Sequence, residues 1–103
     1  MNKKYILKKN EEIYEIIKTG KKQVFKYFNI YRKENKLINS RFCISVSKKI
    51  GNAVVRNKLK RQVKDILMKN LSTNSEDYVI ILSSSFKNLS YQEKKDEILK
   101  GIK

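Results

Sequence analysis

Apolar residues recur at helical spacing near the start of the chain, which predicts a short amphipathic helix over about 11–19. Ile13 and Ile17 belong to its apolar stripe, because residues four apart lie on one side of a helix. Asn10 is placed to cap the first turn, and Gly20 is placed to end the helix. The helix is therefore expected to bury one side against the rest of the fold.

Three other segments have the spacing and composition of β-strands. β-Branched and aromatic residues fill 22–32, apolar and polar residues alternate over 40–47, and 78–82 is an unbroken apolar run typical of a buried strand. Successive side chains of a strand point to opposite faces of a sheet, and one face of the first strand should pack on the core. This alternation groups Val24, Phe28 and Ile30 against Phe25, Tyr27, Asn29 and Tyr31 in the first strand, and inward Phe42, Ile44 and Val46 against Arg41, Cys43 and Ser45 in the second.

Two further helices follow from the same periodicity. Asn52 can cap a long helix that continues to about position 71. Ser90 with Glu93 forms a capping-box signature before a last helix over about 91–102. The long helix has an apolar side formed by Val55, Leu59, Val63, Ile66 and Leu67, and an adjoining band formed by Arg56, Asn57, Lys60, Arg61 and Lys64.

These elements predict one mixed α/β domain that spans residues 1–103. Their order is α-β-β-α-β-α. In an alternative order, the second strand region forms two strands. A chain of this length can bury one modest core. It has no apolar segment long enough to span a bilayer and no signal-peptide h-region, so a cytoplasmic location and no membrane partner are expected. The lone Cys43 is expected to be a small buried side chain.

The chain is strongly basic, with 25 lysines and arginines against 10 acids and a net charge of +15. Such self-repulsion favours a polyanionic partner, and counterion release favours nucleic acid. The cations concentrate between positions 45 and 64, where no acid occurs. A helix that buries one face and carries cations beside it is suited to lie against phosphates. The cationic candidates for this contact are Lys48, Lys49, Arg56, Lys58, Lys60, Arg61 and Lys64.

Aromatic residues of the first strand are a second candidate contact, because unpaired bases stack on exposed rings. Phe25 and Tyr27 fit either base stacking or ordinary packing under a helix. Tyr31 favours exposure, since it lies near the strand end beside Arg32 and Lys33. A basic helix beside an aromatic sheet favours RNA with an unpaired segment over duplex DNA.

The sequence offers little chemistry that could break a covalent bond. It has no histidine, its carboxylates are scattered, and its three glycines form no phosphate-binding loop. We therefore expect no catalytic residue, metal site or other cofactor in this chain. A stand-alone nuclease would need a base or metal ligands that are missing from the sequence.

Residues 45–67 closely resemble the signature of the bacterial ribonuclease P protein component. They read SVSKKIGNAVVRNKLKRQVKDIL. The segments LKKNEEIYEIIKTGKK and DYVIILSSSFKNLSYQEKKDEI resemble the opening helix and the closing strand and helix of that family. The resemblance covers nearly the whole chain. It implies a two-layer α/β sandwich with a left-handed β-α-β crossover, although right-handed crossovers are the general rule.

The resemblance also implies a function as the protein subunit of an endonuclease that removes the 5′ leader from precursor tRNA. The RNA subunit would bind the catalytic Mg²⁺ and perform the cleavage. The protein would bind that RNA through the basic helix and hold the leader in a cleft between the first helix and the sheet. The implied RNA-binding residues are the seven cations above with Asn57, and the candidate leader-cleft residues are Ile13, Ile17, Phe25, Tyr27 and Tyr31.

This sequence departs from the family pattern at two places. Lys58 stands where the family has the second arginine of an arginine-asparagine-arginine triplet, so the charge is kept and the two-pronged hydrogen bonding is lost. Ile13 and Ile17 stand where aromatic residues are common, which favours apolar contact over base stacking. A structural RNA-binding protein of the ribosomal type is the alternative, and only the signature segment separates the two.

Overall fold

The computed structural model of the protein describes residues 6–36, 40–70 and 75–102. The predicted end of the long helix near position 71 lies outside these residues. None of the helices within them is long and apolar enough to cross a membrane. The described elements are α1 (Asn10–Thr19), β1 (Lys21–Val24), β2 (Phe28–Glu34), β3 (Arg41–Val46), α2 (Ala53–Lys69), β4 (Glu76–Leu82) and α3 (Tyr91–Ile102).

The four strands form one sheet in the order β1-β2-β4-β3. β1, β2 and β4 pair antiparallel, whereas β3 and β4 pair in parallel and are joined through α2. The β-α-β crossover implied by the resemblance is therefore present. The left-handedness of this crossover remains a prediction.

The main hydrophobic core lies between one face of the sheet and the helices α2 and α3. Apolar residues at every second strand position meet the apolar sides of the two helices, which confirms the predicted α/β sandwich. α1 lies on the opposite face and covers part of it. The buried side chains of the main core include Phe28, Ile30, Phe42, Ile44, Leu59, Val63, Ile66, Leu67, Ile80, Leu82, Phe86 and Ile98.

The first predicted strand, 22–32, is in fact two strands joined by a tight turn. The amide of Phe25 donates to the carbonyl of Phe28 at 2.9 Å, and β1 folds back along β2. The sequence pattern suggested that the second strand region is the one that splits in two. The structure shows that the first strand region splits instead. The turn occurs without glycine or proline, so the residues at 25–27 gave no local signal of it.

Two of the three predicted helix caps are confirmed. The side-chain oxygen of Asn52 accepts from the amide of Val55 at 3.0 Å. Ser90 and Glu93 exchange both hydrogen bonds of a capping box. The predicted cap at Asn10 is wrong, because α1 begins at Asn10 itself and no side chain caps its first turn.

Gly20 ends α1 as predicted, but for a different physical reason. Its backbone is extended and not left-handed. The chain reverses there from α1 into β1, and a Cβ atom would collide with the carbonyl oxygens of Ile16 and Arg32. Lack of space, more than backbone conformation, requires glycine at this position.

Gly101 makes a similar close approach, which yields the first test. A Cβ atom there would stand 2.6 Å from Cδ1 of Ile30 and 2.7 Å from Cε2 of Phe28. We expect Gly101→Ala to cost about 1–3 kcal/mol of unfolding free energy through overpacking. Thermal denaturation should show a midpoint lowered by roughly 4 °C or more. Lys100→Ala, at an exposed neighbouring position, should change little, and equal midpoints for both variants would contradict the packing of α3 on β2.

Candidate nucleic-acid interface

The cations of α2 lie on its solvent-facing side and along the edge where that side meets the buried side. The side chains of Leu59 and Val63 are buried in the main core, which turns the opposite side of the helix to solvent. The predicted apolar side of α2 is thus confirmed. Within the predicted band, Asn57 and Arg61 are exposed, and Arg56, Lys60 and Lys64 are half-buried along its edge; Lys58 is exposed further round the helix.

The turn before α2 keeps two more cations at the surface. Residues 48–50 form a short 3-10 turn in which the side-chain oxygen of Ser47 accepts from the amide of Lys49. Ile50 is buried in the core and anchors the turn. Lys48 and Lys49 remain exposed next to the N-terminus of α2. The predicted basic pair and the basic helix therefore belong to one part of the surface.

One acid interrupts this cationic surface, and it is neutralised locally. Asp65 accepts a hydrogen bond from the hydroxyl of Tyr91 at 2.7 Å and pairs with Lys69 at 3.1 Å. These two contacts lower the pKa of Asp65. The anion is thus engaged within the protein, and it opposes an incoming phosphate less than a free carboxylate would.

The face of the sheet opposite the main core carries a second, smaller apolar cluster beside α1. Ile16 and Val79 are buried there, and Tyr31 and Cys43 pack against them half-buried. Ile17, one turn after Ile13 on α1, is 38% exposed. We name this surface the α1 groove, defined by Ile13, Tyr31, Cys43 and Ile81, with Ile17 next to Ile13 by helical spacing.

Cations border the α1 groove on two sides. Burial raises the pKa of the Cys43 thiol, while the nearby ammonium groups of Lys60 and Lys64 oppose that shift. These two lysines of the α2 band therefore lie near enough to Cys43 of β3 for their charges to act on it. On the other side, Lys22 pairs with Tyr31 across β1 and β2, and its Nζ lies 5.7 Å from the ring centre.

Two predicted cleft residues lie on the other face of the sheet. Phe25 and Tyr27 pack against the main core, and the ring of Phe25 stacks on Phe28 with centroids 4.9 Å apart. The prediction that they share a face with Tyr31 is wrong, because the turn at 25–27 interrupts the strand alternation. Their geometry fits ordinary packing, which was the other interpretation of these residues.

The same turn moves Val24 to the groove side. It was grouped with Phe28 and Ile30, but it is 70% exposed and lies opposite Asn29, on the face that carries Tyr31. The grouping of Val24 with the core residues is therefore wrong. Val24 and Lys22 are groove-side residues that the strand pattern did not identify, and pairing in the hairpin is what places them.

A network of charged groups fixes α1 over the sheet. Arg41 donates two hydrogen bonds to Asp77, from Nε at 3.0 Å and from Nη2 at 2.7 Å, and a further one to Glu12 of α1 at 2.8 Å. The bonds to Asp77 contribute most to raising the pKa of Arg41. Asn35 also donates to Asp77, and Lys33 pairs with Glu15 of α1 at 2.8 Å. These contacts determine where α1, one wall of the groove, stands.

The sequence matches the ribonuclease P family model over residues 1–103. The chain belongs to the ribonuclease P protein family. It is 42% identical to the ribonuclease P protein component of Mycoplasma capricolum subsp. capricolum, across all of this chain and 97% of that relative. Its structure is similar to the RNase P protein of Staphylococcus aureus (TM-score 0.85, 32% identity, 96% of this chain and 95% of that one). It is also similar to that of Thermotoga maritima (TM-score 0.84, 30% identity, 91% of each chain).

Membership in the ribonuclease P protein family confirms the resemblance drawn from residues 45–67 and disfavours the ribosomal alternative. In this family member, Ile13 and Tyr31 pack in one apolar cluster beside α1, whereas Phe25 and Tyr27 pack against the main core. Ile17 is exposed on α1, one turn after Ile13. Among the residues that the structure describes, no three side chains of the metal-ligating types come together.

The Arg41 network gives a stability prediction for this family member. The Asp77 side chain is only 8% exposed, so Arg41→Met would leave a buried carboxylate without its main partner. We expect a loss of about 3 kcal/mol of unfolding free energy, measured by urea denaturation. Glu12→Gln removes only the more exposed contact and should cost less than about 1 kcal/mol. The double variant Arg41→Met/Asp77→Leu should recover part of the loss, and a loss no smaller than that of Arg41→Met would contradict this account.

Proposed function

We propose that this ribonuclease P family protein binds the catalytic RNA through α2 and holds the 5′ leader of precursor tRNA in the α1 groove. The main support for this proposal is that the basic band of α2 lies close to the α1 groove. Lys60 and Lys64 belong to the basic band of α2, and their charges act on the thiol of Cys43 in the groove. A strand in the groove would therefore lie beside the helix that binds the larger RNA.

The groove has the chemistry that suits a single strand. Tyr31 offers an aromatic ring, Ile17 and Val24 offer exposed apolar surface, and Lys22 places a cation over that ring. Bases of an unpaired strand can contact rings and apolar side chains while cations contact the backbone. A duplex keeps its bases stacked inside and would use only the cations. These features favour an unpaired leader over a duplex.

In this proposal, the RNA subunit performs the cleavage and holds the catalytic Mg²⁺, in the cytoplasm. The protein contributes binding: its charge of +15 offsets phosphate repulsion between the two RNAs. The residues of this chain position the leader and bind backbone. The absence of histidine from the sequence agrees with a role that requires no proton transfer by the protein.

Removal of two arginines tests the α2 part of the proposal. Arg56→Ala/Arg61→Ala should weaken binding of the catalytic RNA about tenfold or more, because each arginine can hold one phosphate by two hydrogen bonds. The slope of log affinity against log salt should fall by about 1.4–1.8. Filter binding across a salt series measures both quantities.

Lys18→Ala/Lys100→Ala is the matched control, because it removes the same charge from exposed positions outside the α2 band. It should lower the affinity only slightly. If both double variants lose the same affinity, net charge alone explains the binding, and α2 is not the contact surface.

The groove is tested by comparing precursor and mature tRNA. Tyr31→Leu keeps an apolar side chain but removes the ring, so the assembled ribonucleoprotein should bind precursor tRNA more weakly by about 1–3 kcal/mol. Binding of mature tRNA, which lacks the leader, should not change. Tyr14→Leu, at a ring on α1 that is 67% exposed, serves as control and should leave both affinities unchanged. An equal loss for precursor and mature tRNA would exclude a leader contact at Tyr31.

A further inference from the structure

Lys94 of α3 is a buried lysine with one partner. The residue is 6% exposed, and its Nζ donates to the side-chain oxygen of Gln62 on α2 at 2.8 Å. An ammonium group has three hydrogens to donate. Among the described residues, no carboxylate forms an ion pair with it. A buried cation without a counterion is energetically unfavourable, so its presence between α2 and α3 calls for a physical reason.

The acids of the two helices are each engaged elsewhere. On α3, Glu93 accepts from the amide of Ser90, Asp96 accepts from Gln92, and Glu97 pairs with Lys100. On α2, the single acid Asp65 is held by Tyr91 and Lys69. Four carboxylates on the two helices thus leave Lys94 without a charged partner.

The charged group near Lys94 is a second cation, Lys58, and not a counterion. Lys58 is exposed on α2, one turn before Gln62, and so lies on the same side of that helix. Burial lowers the pKa of Lys94, and the charge of Lys58 lowers it further. We name these two cations and the neutral amide the α2–α3 lysine cluster (Lys58, Gln62 and Lys94); no anion of the described residues pairs with either lysine.

We propose that the α2–α3 lysine cluster binds a phosphate group of the RNA backbone. A phosphate between Lys58 and Lys94 would supply the missing counterion, and its oxygens would accept the free hydrogens of both ammonium groups. Exposed Lys58 gives the anion access, and buried Lys94 gives it a partner already held in place by Gln62.

This inference rests on the proposed function, because it takes the RNA held by α2 as the source of the phosphate. It extends that function to a different flank of the helix. Lys60 and Lys64 lie on the flank of α2 whose charges act on Cys43 in the α1 groove. Lys58 and Gln62 line the side that faces α3. The RNA would then contact α2 across both flanks.

The substitution Gln62→Glu is the sharpest test, because it supplies an internal counterion of nearly the same shape. The new carboxylate should pair with Lys94, so the midpoint of thermal unfolding should stay unchanged or rise. Affinity for the catalytic RNA should fall about tenfold, because a charged hydrogen-bonded contact is lost. Gln92→Glu, which adds the same charge at an exposed position of α3, is the matched control and should lower the affinity much less.

Lys94→Met tests the same site without adding a negative charge. Methionine fills a similar volume, so the unfolding midpoint should be unchanged or higher, while affinity for the RNA falls about tenfold. The slope of log affinity against log salt should fall by about 0.7–0.9. Lys100→Met, from an exposed position on α3, should leave the affinity nearly unchanged. A purely structural lysine gives the opposite result, with a lower unfolding midpoint and unchanged RNA affinity.

Two further outcomes would overturn the inference. If Gln62→Glu and Gln92→Glu weaken RNA binding equally, the cluster is not a site. If millimolar inorganic phosphate shifts the NMR signals of Gln62 and Lys94 in the free protein while Lys94→Met binds RNA normally, the site holds a free anion and not the RNA backbone. Arg56→Ala/Arg61→Ala in the same assay separates the two proposals: lost binding there with unchanged binding in Lys94→Met refutes only the lysine cluster.

Discussion

The packing of α2 against the sheet is the constraint on which the rest of the structure depends. Leu59 and Val63 must be buried for the core to form, and their burial fixes the rotation of the helix about its axis. Once this rotation is fixed, the cations between them can lie only at the border or outside. The same hydrophobic contact that stabilises the fold therefore sets the positions of the cations of α2.

A second constraint concerns α1, which is short and buries only one fully covered side chain, Ile16. Such a helix has little apolar contact with which to hold its place. The Arg41 network supplies additional contacts, through Asp77 of β4 and Glu12 of α1. We conclude that the α1 groove depends on charge pairing at one end and on apolar packing along its floor. Because apolar packing is confined to the floor of the groove, Ile17 and the adjoining sheet surface remain partly exposed.

Much of the fold could be predicted from the sequence, because helix period and caps are local properties. The apolar side of α2 followed from 3.6-residue spacing, and Asn52 and Ser90 were identified from short signatures. The hairpin at 25–27 was missed because its turn lacks the residues that normally mark one. That single error moved Val24 to the wrong face and placed Phe25 and Tyr27 beside Tyr31.

The candidate site was predictable where the residues are close in sequence and not where distant segments meet. The basic band lies within one helix, so its spacing was sufficient. Arg41 and Asp77 are 36 residues apart, and Lys94 and Gln62 are 32 residues apart. Nothing local in the sequence indicates either contact. Both become visible only when the crossover brings β3 beside β4 and α3 beside α2.

In the proposed complex, α2 and the α1 groove face two different RNA strands. The most direct measurement is hydroxyl-radical cleavage from an iron chelate tethered to a single cysteine, introduced by Asn57→Cys or Ile17→Cys in a Cys43→Ser background. We expect strand scission in the catalytic RNA from position 57, and scission in the 5′ leader of bound precursor tRNA from position 17. An absence of cuts in the catalytic RNA from position 57, or of cuts in the leader from position 17, would show that this arrangement is wrong.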